Sequence, residues 1–346
     1  RLTTSLVGLP PVFVYRGTRA TALASDVSLL AGIPGVDLAL DARGLTELGS
    51  FGHPVEGRTL FRDVKMAPAG AKLTLKADGE LIVGAEWQLP DADPLPWSEF
   101  VEAQIEASVA ATRATDVSGS FLSLTAGLDT RTVLAALASE RRLVPGVTMT
   151  GRQPSLDSRT ARRLCDAYGI QHEPIVLDTA FRAALPALVV RASRLAGGLA
   201  SLSQAPEVFL YDQLGSRFTS RVSGNLGNQV GRGGTEGVSL RGAELAILAP
   251  AMRVDSDGGS HWLLRNLGKH PRAALEFILK SEIAYSSVGN YTVGNHFAVQ
   301  QSPYASRSLI ELLARRPASG SLPSGSRLRM RLRDLPHPYL AEPGPD

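Results

Sequence analysis

Between residues 98 and 223 the chain alternates short apolar runs with segments of helical periodicity. Strand-like runs lie at 121–124, 147–150, 174–177 and 221–223, and helical spacing is seen over 98–115, 130–140 and 155–168. Strands that alternate with helices of about 10–15 residues form βαβ units, whose strands are parallel. The pattern therefore predicts an α/β fold with a parallel sheet flanked by helices.

The first part of the chain has a different texture. Residues 71–76 alternate in polarity, turn at Asp78-Gly79 and resume at 80–83, which predicts a hairpin. A proline-rich stretch over 89–96 is typical of a linker. Since 346 residues suggest about two domains, we predict a smaller β-rich domain over 1–92 and a larger one over 93–346, mostly helical from about 243 to 332.

Composition excludes several classes of protein. A hydrophobic fraction of 44% against 20% charged residues is typical of a packed globular chain. Cys165 is the only cysteine, so an intrachain disulfide and a cysteine-only zinc site are both excluded. No apolar run reaches the ~18 residues of a membrane helix, and no signal peptide is visible, so we expect a cytoplasmic protein without a membrane partner. Aromatic residues are only 6% and form no stripe with basic residues, so nucleic acid is not an expected partner.

One segment, residues 121–131, has the features of an anion-binding loop. The apolar strand runs into small residues and Gly127, and Asp129-Thr130 then opens a helix. Small residues let backbone N–H groups approach an anion, and the helix N-terminus adds partial positive charge. Asp129 could bind Mg²⁺ through a carboxylate oxygen. The alternative is an ordinary strand–turn–helix in which Asp129 is the N-cap.

The loop resembles a known motif. Thr125-Ala126-Gly127-Leu128-Asp129-Thr130 is similar to the pyrophosphate loop of the asparagine synthetase family, Ser-Gly-Gly-x-Asp-Ser, with Thr for Ser and Ala for the first Gly. Further segments resemble family motifs in the same order along the chain. They are residues 24–26, 58–61 with 66–70, 155–161 with Gly169 and His172, 223–229, and 302–306 with 309–311.

The resemblance implies a fold and a reaction. The fold would be an ATP-pyrophosphatase-type parallel sheet flanked by helices, preceded by a smaller, β-rich, partial glutaminase-like domain. In this family ATP adenylates a carboxylate, pyrophosphate leaves, and an amine attacks the acyl-adenylate to give an amide and AMP. The implied cofactors are ATP and Mg²⁺. The implied substrates are small-molecule or peptide carboxylates and amines, as in β-lactam synthetase and lasso peptide cyclases of specialised metabolism; a homodimer or a partner-protein complex is left open.

The resemblance also implies which residues form the ATP site. Asp129 and Asn228 would hold the metal, although Asn228 and Gln229 stand where the family has Asp and Glu. The glycines near 224–234 indicate close approach to an anion, or else a turn that merely packs. The predicted ATP and pyrophosphate ligands are Leu122, Ser123, Thr125, Ala126, Gly127, Asp129, Thr130, Thr148, Met149, Gly224, Asn225, Gly227 and Arg232.

Two catalytic positions of the family are altered. No lysine follows Lys280, where the family carries one in a carboxyl-terminal loop, and arginines over 327–333 are either a substitute or a solvated helix face. Val299 falls where the family has a glutamate. Glu282 and Tyr285, three residues apart on a predicted helix, could supply a base near the amine; the alternative is a surface glutamate and a half-buried tyrosine.

The sequence leaves the source of the amine and the activity itself open. The family's glutaminase nucleophile is an N-terminal cysteine, whereas residue 1 is Arg and Cys165 is expected to be a buried core thiol. We therefore expect an amine other than glutamine-derived ammonia, as in intramolecular or peptide cyclisation. One alternative is a catalytically degenerate homologue acting as a scaffold or partner subunit. Another is a hydrolytic or thiolation enzyme on the same fold.

Overall fold

The computed structural model describes residues 1–200, 202–231 and 271–317. They divide into two compact units. The described part of the first covers 1–88, 186–208 and 271–296, and that of the second covers 89–185, 209–231 and 297–317. The domain boundary expected between residues 92 and 93 stays a prediction. Among the described residues, no helix has the length and apolar character that crossing a membrane requires.

The first unit is built on antiparallel strands. Within its described residues one sheet has the order β1-β5-β6 and another the order β3-β2-β4. The predicted hairpin is confirmed, because β5 and β6 pair with Leu73 opposite Val83. The strands are β1 (Leu2–Thr3), β2 (Phe13–Arg16), β3 (Thr21–Ala24), β4 (Val64–Met66), β5 (Lys72–Leu75) and β6 (Leu81–Val83).

Helices complete this unit. The short helix α1 (Val27–Ala31) begins at Asp26, whose carboxylate accepts the N–H of Ser28 at 2.6 Å and also contacts His296 Nε2 at 2.5 Å. Later in the chain, helical backbone runs through Pro271–Phe277, a π-helical turn at Ile278–Glu282, and Ile283–Asn295. The remaining early helix is α2 (Ala42–Phe51).

The second unit contains the predicted parallel sheet, which confirms the predicted α/β class. Across its described residues five strands lie in the order β11-β10-β7-β8-β9, and every neighbouring pair is parallel. The strands are β7 (Ser120–Ser123), β8 (Gly146–Thr150), β9 (His172–Val176), β10 (Ser220–Val222) and β11 (Val299–Gln301). Its helices are α3 (Trp97–Ala114), α4 (Leu128–Ser139) and α5 (Leu156–Tyr168), and Arg307–Leu312 follows β11. The helices α6 (Thr179–Leu195) and α7 (Ala205–Leu214) belong in part to each unit, because the division falls after Leu185 and after Val208.

The core of the sheet explains why these segments form. Phe121 and Leu122 of β7 are fully buried, and so are Leu134 and Leu137 on the apolar side of α4. The strand β11 was not predicted, since Val-Gln-Gln is short and polar. In the structure Val299 of this strand is 61% exposed. The strand interrupts the helical region predicted over 243–332, of which 243–270 and 318–332 lie outside the described residues.

The strand order places a switch point between β7 and β10. The chain moves outward from β7 to β8 and β9 and then returns to form β10 on the opposite side of β7. In open α/β sheets, connections that leave in opposite directions open a crevice at the carboxyl ends of the two strands, and ligands bind there. The position of a candidate site thus follows from topology alone.

Candidate functional site

A cavity of about 350 Å³ lies at the carboxyl ends of β7, β8 and β10, across this switch point. Nine of the residues predicted to bind ATP line it, together with four that were not among those predicted ligands. The predicted ones are Ser123, Thr125, Gly127, Asp129, Thr130, Thr148, Met149, Gly224 and Asn225. The additional ones are Leu124, Asp157, Arg221 and Ser223. The structure therefore brings the predicted segments to one place, and their role as nucleotide ligands stays a prediction.

The helix that opens from the loop has no side-chain cap. Gly127 is the N-cap residue of α4, and Asp129 lies inside the first turn. The interpretation of Asp129 as the N-cap is therefore wrong, because a glycine occupies that position. A helix start without a capping side chain keeps partial positive charge and N–H donors for an anion.

Hydroxyl groups fix the shape of the loop. The N–H of Thr125 donates to Thr130 Oγ1 at 3.3 Å, and the N–H of Gly127 donates to Thr125 Oγ1 at 3.1 Å. The two hydroxyl oxygens lie 3.1 Å apart. The first and last positions of the motif thus need a hydroxyl, which threonine supplies as well as serine does.

Asp157 ties the loop to the neighbouring helix. Its Oδ1 accepts the N–H of Ala126 at 2.7 Å. Ser155 is the N-cap of α5 and accepts the N–H of Ser158 at 3.2 Å, so Asp157 is not needed for capping. The sequence indicates such a residue only indirectly, as an acid in the first turn of the helix that follows the adjacent strand.

Arg221 places a cation beside the loop. It lies in β10, is 6% exposed, and donates from Nη2 to Ser123 Oγ at 2.9 Å. Among the described residues that line the cavity it is the only basic side chain. An arginine inside a buried parallel strand was the sequence feature that could have identified it, since such strands are normally apolar.

Two glycines let the segment after β10 approach α4. A Cβ on Gly224 would lie 2.7 Å from the backbone N of Thr130, and a Cβ on Gly227 would lie 2.5 Å from the Cβ of Asp129. Protein packing therefore requires both glycines, as the packing alternative expected. The 302–306 segment supports the same region, because Ser302 Oγ donates to the Asn225 carbonyl at 2.5 Å and Tyr304 Oη donates to the Asp129 carbonyl at 3.4 Å.

The other predicted ligands are not among the described residues that line the cavity. Leu122 is fully buried in β7, and Ala126 faces Asp157 through its amide. Asn228 is half-buried in the π-helical turn Gly227–Gly231 and is not among the described lining residues. Arg232 lies outside the described residues.

The donor set suits a magnesium ion. Residues with side-chain oxygens line the cavity, among them Asp129, Thr130, Asp157 and Ser223. Mg²⁺ prefers one or two carboxylates together with waters and phosphate oxygens. The described residues hold no cluster of three or more His, Cys, Asp or Glu side chains, so a fully protein-made metal cage is not offered there. Asp129 is the residue that would hold the ion.

Glu282 and Tyr285, the residues predicted to supply a catalytic base, lie in the first unit. Glu282 is buried, which raises the pKa of its carboxyl group, while a hydrogen bond with Ser286 acts in the opposite direction. Burial likewise raises the pKa of Tyr285 to about 12, and this side chain is half-buried. The alternative of a surface glutamate is wrong, because Glu282 is only 7% exposed. Their catalytic role stays a prediction.

Cys165 has the structural role expected of it. The thiol is fully buried in α5, and burial raises its pKa to about 11. A thiol with so high a pKa is almost entirely protonated at neutral pH and is a poor nucleophile.

Comparisons with known proteins give distant likenesses only. No protein-family model matches the chain, and no curated protein does. Similar solved structures include an NMN synthetase from Francisella tularensis (11% identity, TM-score 0.28, covering 73% of this chain and 99% of that one). An NH3-dependent NAD synthetase from Campylobacter jejuni, solved with a nitrate ion, has 18% identity and a TM-score of 0.24 and covers 53% and 92%. An NAD+ synthetase from Burkholderia pseudomallei has 16% identity and a TM-score of 0.24 and covers 71% and 90%. The fold assignment rests on the strand order of the chain itself.

Proposed function

We propose that the chain is an ATP-dependent ligase that forms amide bonds through an acyl-adenylate. The observation that carries the proposal is the cavity at the switch point, whose wall combines the 125–130 loop, the uncapped start of α4, Asp129 and Arg221. These groups suit a nucleoside triphosphate with a divalent cation. The resemblance of the loop to the asparagine synthetase motif supports an adenylating rather than a phosphorylating reaction.

The proposed chemistry proceeds in two balanced steps. A carboxylate oxygen of the substrate attacks the α-phosphorus of ATP, and the bond to the bridging oxygen breaks, giving the acyl-adenylate and pyrophosphate. An amine then attacks the acyl carbon, AMP leaves, and the amine loses a proton to a base. Donors of the loop would stabilise the charge that develops on pyrophosphate, and Mg²⁺, when bound, would supply further positive charge.

We propose that the amine belongs to a substrate molecule or a peptide rather than coming from glutamine. Cys165 is fully buried and has a pKa of about 11. It is therefore unsuited to attack glutamine. An amine carried on the substrate, as in intramolecular or peptide cyclisation, requires no such thiol.

The degenerate-homologue alternative rested on Asn228 and Gln229 and on the absence of a lysine after Lys280. Neither of the first two residues is among the described residues that line the cavity, whereas Asp129 and Asp157 both are. The substitution at 228 and 229 therefore leaves two carboxylates on the cavity wall. A chain that binds no Mg-ATP would favour the degenerate alternative.

The direct test is calorimetric titration with Mg-ATP. Wild type should bind, and Asp129→Ala should bind at least ~10-fold more weakly because a charged ligand is lost from the cavity. Asp166→Ala, at an exposed position of α5, is the matched control and should bind like wild type. Equal affinity of Asp129→Ala and wild type, with unchanged circular dichroism, would contradict the site.

A further inference from the structure

Arg221 occupies a position where a charged side chain is costly. It is the middle residue of the three-residue strand β10, between Phe121 of β7 and Gln300 of β11 in register. Phe121 is fully buried and Arg221 is 6% exposed. Strands inside a parallel sheet are covered on both faces and are normally apolar, and burying a charge costs free energy unless polar groups compensate.

The surroundings direct this arginine toward the cavity. Arg221 lies in β10 and Ser223 directly follows the strand, and both line the cavity. The hydrogen bond from Nη2 to Ser123 Oγ at 2.9 Å holds the guanidinium next to the carboxyl end of β7, immediately before the loop.

The charge of the cavity wall also favours an anion-binding role. The other charged groups among its described residues are the carboxylates of Asp129 and Asp157. A triphosphate would be repelled by two carboxylates unless cations are present, and a magnesium ion near Asp129 balances only part of that charge. Arginine matches phosphate oxygens with paired N–H donors and keeps its charge when buried.

We propose that Arg221 binds the pyrophosphate portion of the nucleotide and stabilises it as the leaving group. This inference rests on the proposed adenylation function. It gives a buried residue of β10 the role of balancing the charge of the leaving group. The guanidinium contacts phosphate oxygens, and it neither gains nor loses a proton during the reaction.

The test compares two ligands that differ in the pyrophosphate group. Wild type, Arg221→Met and Arg221→Lys are titrated with inorganic pyrophosphate plus Mg²⁺, and separately with AMP. Arg221→Met should lose about 10–100-fold in pyrophosphate affinity, because a charge-assisted hydrogen bond is lost, while AMP affinity changes less than about twofold. Arg221→Lys should recover part of the pyrophosphate affinity, since charge is kept and the paired geometry is not. Unchanged pyrophosphate binding in folded Arg221→Met, or equal losses for both ligands, overturns the proposal.

A second measurement uses the native side chain, in case the methionine variant does not fold. The Nε–H resonance of Arg221 in arginine-labelled wild type is assigned by its loss in Arg221→Lys. Saturating pyrophosphate should shift this resonance, whereas AMP should leave it near its original position. A resonance that does not move with bound pyrophosphate overturns the role of Arg221 and leaves adenylation standing. Wild type that releases ADP and phosphate from ATP would instead overturn the proposed function itself.

Discussion

The carboxylate of Asp157 accepts the backbone N–H of Ala126 at 2.7 Å and so joins the first turn of α5 to the loop after β7. The bond fixes the Thr125–Ala126 peptide, one residue before Gly127, which is the N-cap of α4. The orientation of the loop donors thus depends on a residue from the next βα unit.

This relationship predicts different effects for two substitutions of Asp157. Asp157→Ala removes the acceptor and should weaken Mg-ATP binding about 10-fold, since the loop amide loses its partner. Asp157→Asn retains an oxygen acceptor and should stay within about threefold of wild type. Calorimetric titration gives both affinities. An asparagine variant as weak as the alanine variant would show that the charge of Asp157, and not its hydrogen bond, is what matters.

Gly224 should not tolerate a side chain. A Cβ there would lie 2.7 Å from the backbone N of Thr130 and 2.9 Å from the carbonyl carbon of Asp129, both of which are backbone atoms. Gly224→Ala should therefore destabilise the chain by about 1–3 kcal/mol and weaken Mg-ATP binding. The control is Gly151→Ala, whose Cβ would meet nothing closer than 3.9 Å. Denaturant unfolding measures both, and equal stabilities of the two variants would contradict the close approach.

Burial of Glu282 predicts a pH-dependent effect on stability. Its pKa is raised in the folded state by burial, so the folded chain binds this proton more tightly than the unfolded chain does. The resulting stabilisation is complete below the ordinary glutamate pKa and is lost as the pH rises through the raised value. The side chain of Glu282→Gln does not titrate, so the variant does not lose stability in this way as the pH rises.

The unfolding midpoint of Glu282→Gln should therefore rise relative to wild type between pH 4 and pH 8. A gain of about 1–2 °C is the size that ~1 kcal/mol produces in a chain of 346 residues. The exposed Glu106, substituted by Gln, is the control. A difference between variant and wild type that is constant over this pH range would contradict the effect of burial. Amide formation by Glu282→Gln tests the separate prediction that Glu282 acts as a base.

The sequence predicted the strands and helices whose own residues form a recognisable local pattern. The strand at β7, the small-residue loop and the helix α4 follow from an apolar run, Gly127 and helical periodicity within about 20 residues, and all three are present. The helix starts at Leu128 rather than at the predicted Thr130, because the backbone of Gly127 already has the extended conformation of an N-cap. Such boundaries depend on dihedral angles that residue patterns do not specify.

The residues that sequence reasoning missed depend on distant contacts. Asp157 meets Ala126 across 31 positions, and Arg221 meets Ser123 across 98. Both contacts require the strand order, which places β8 and β10 on either side of β7. Glu282 and Tyr285 were grouped with the site by resemblance to the family, and the structure places them in the first unit.

The central claim is that ATP is split between its α and β phosphates. The measurement is product analysis with α-labelled ATP, Mg²⁺ and a panel of small and peptide carboxylates, with hydroxylamine present as a general amine to trap any acyl-adenylate. Wild type should form AMP, pyrophosphate and the hydroxamate of the accepted carboxylate in equal amounts. Asp129→Ala should form none of the three. Formation of ADP and phosphate would contradict it.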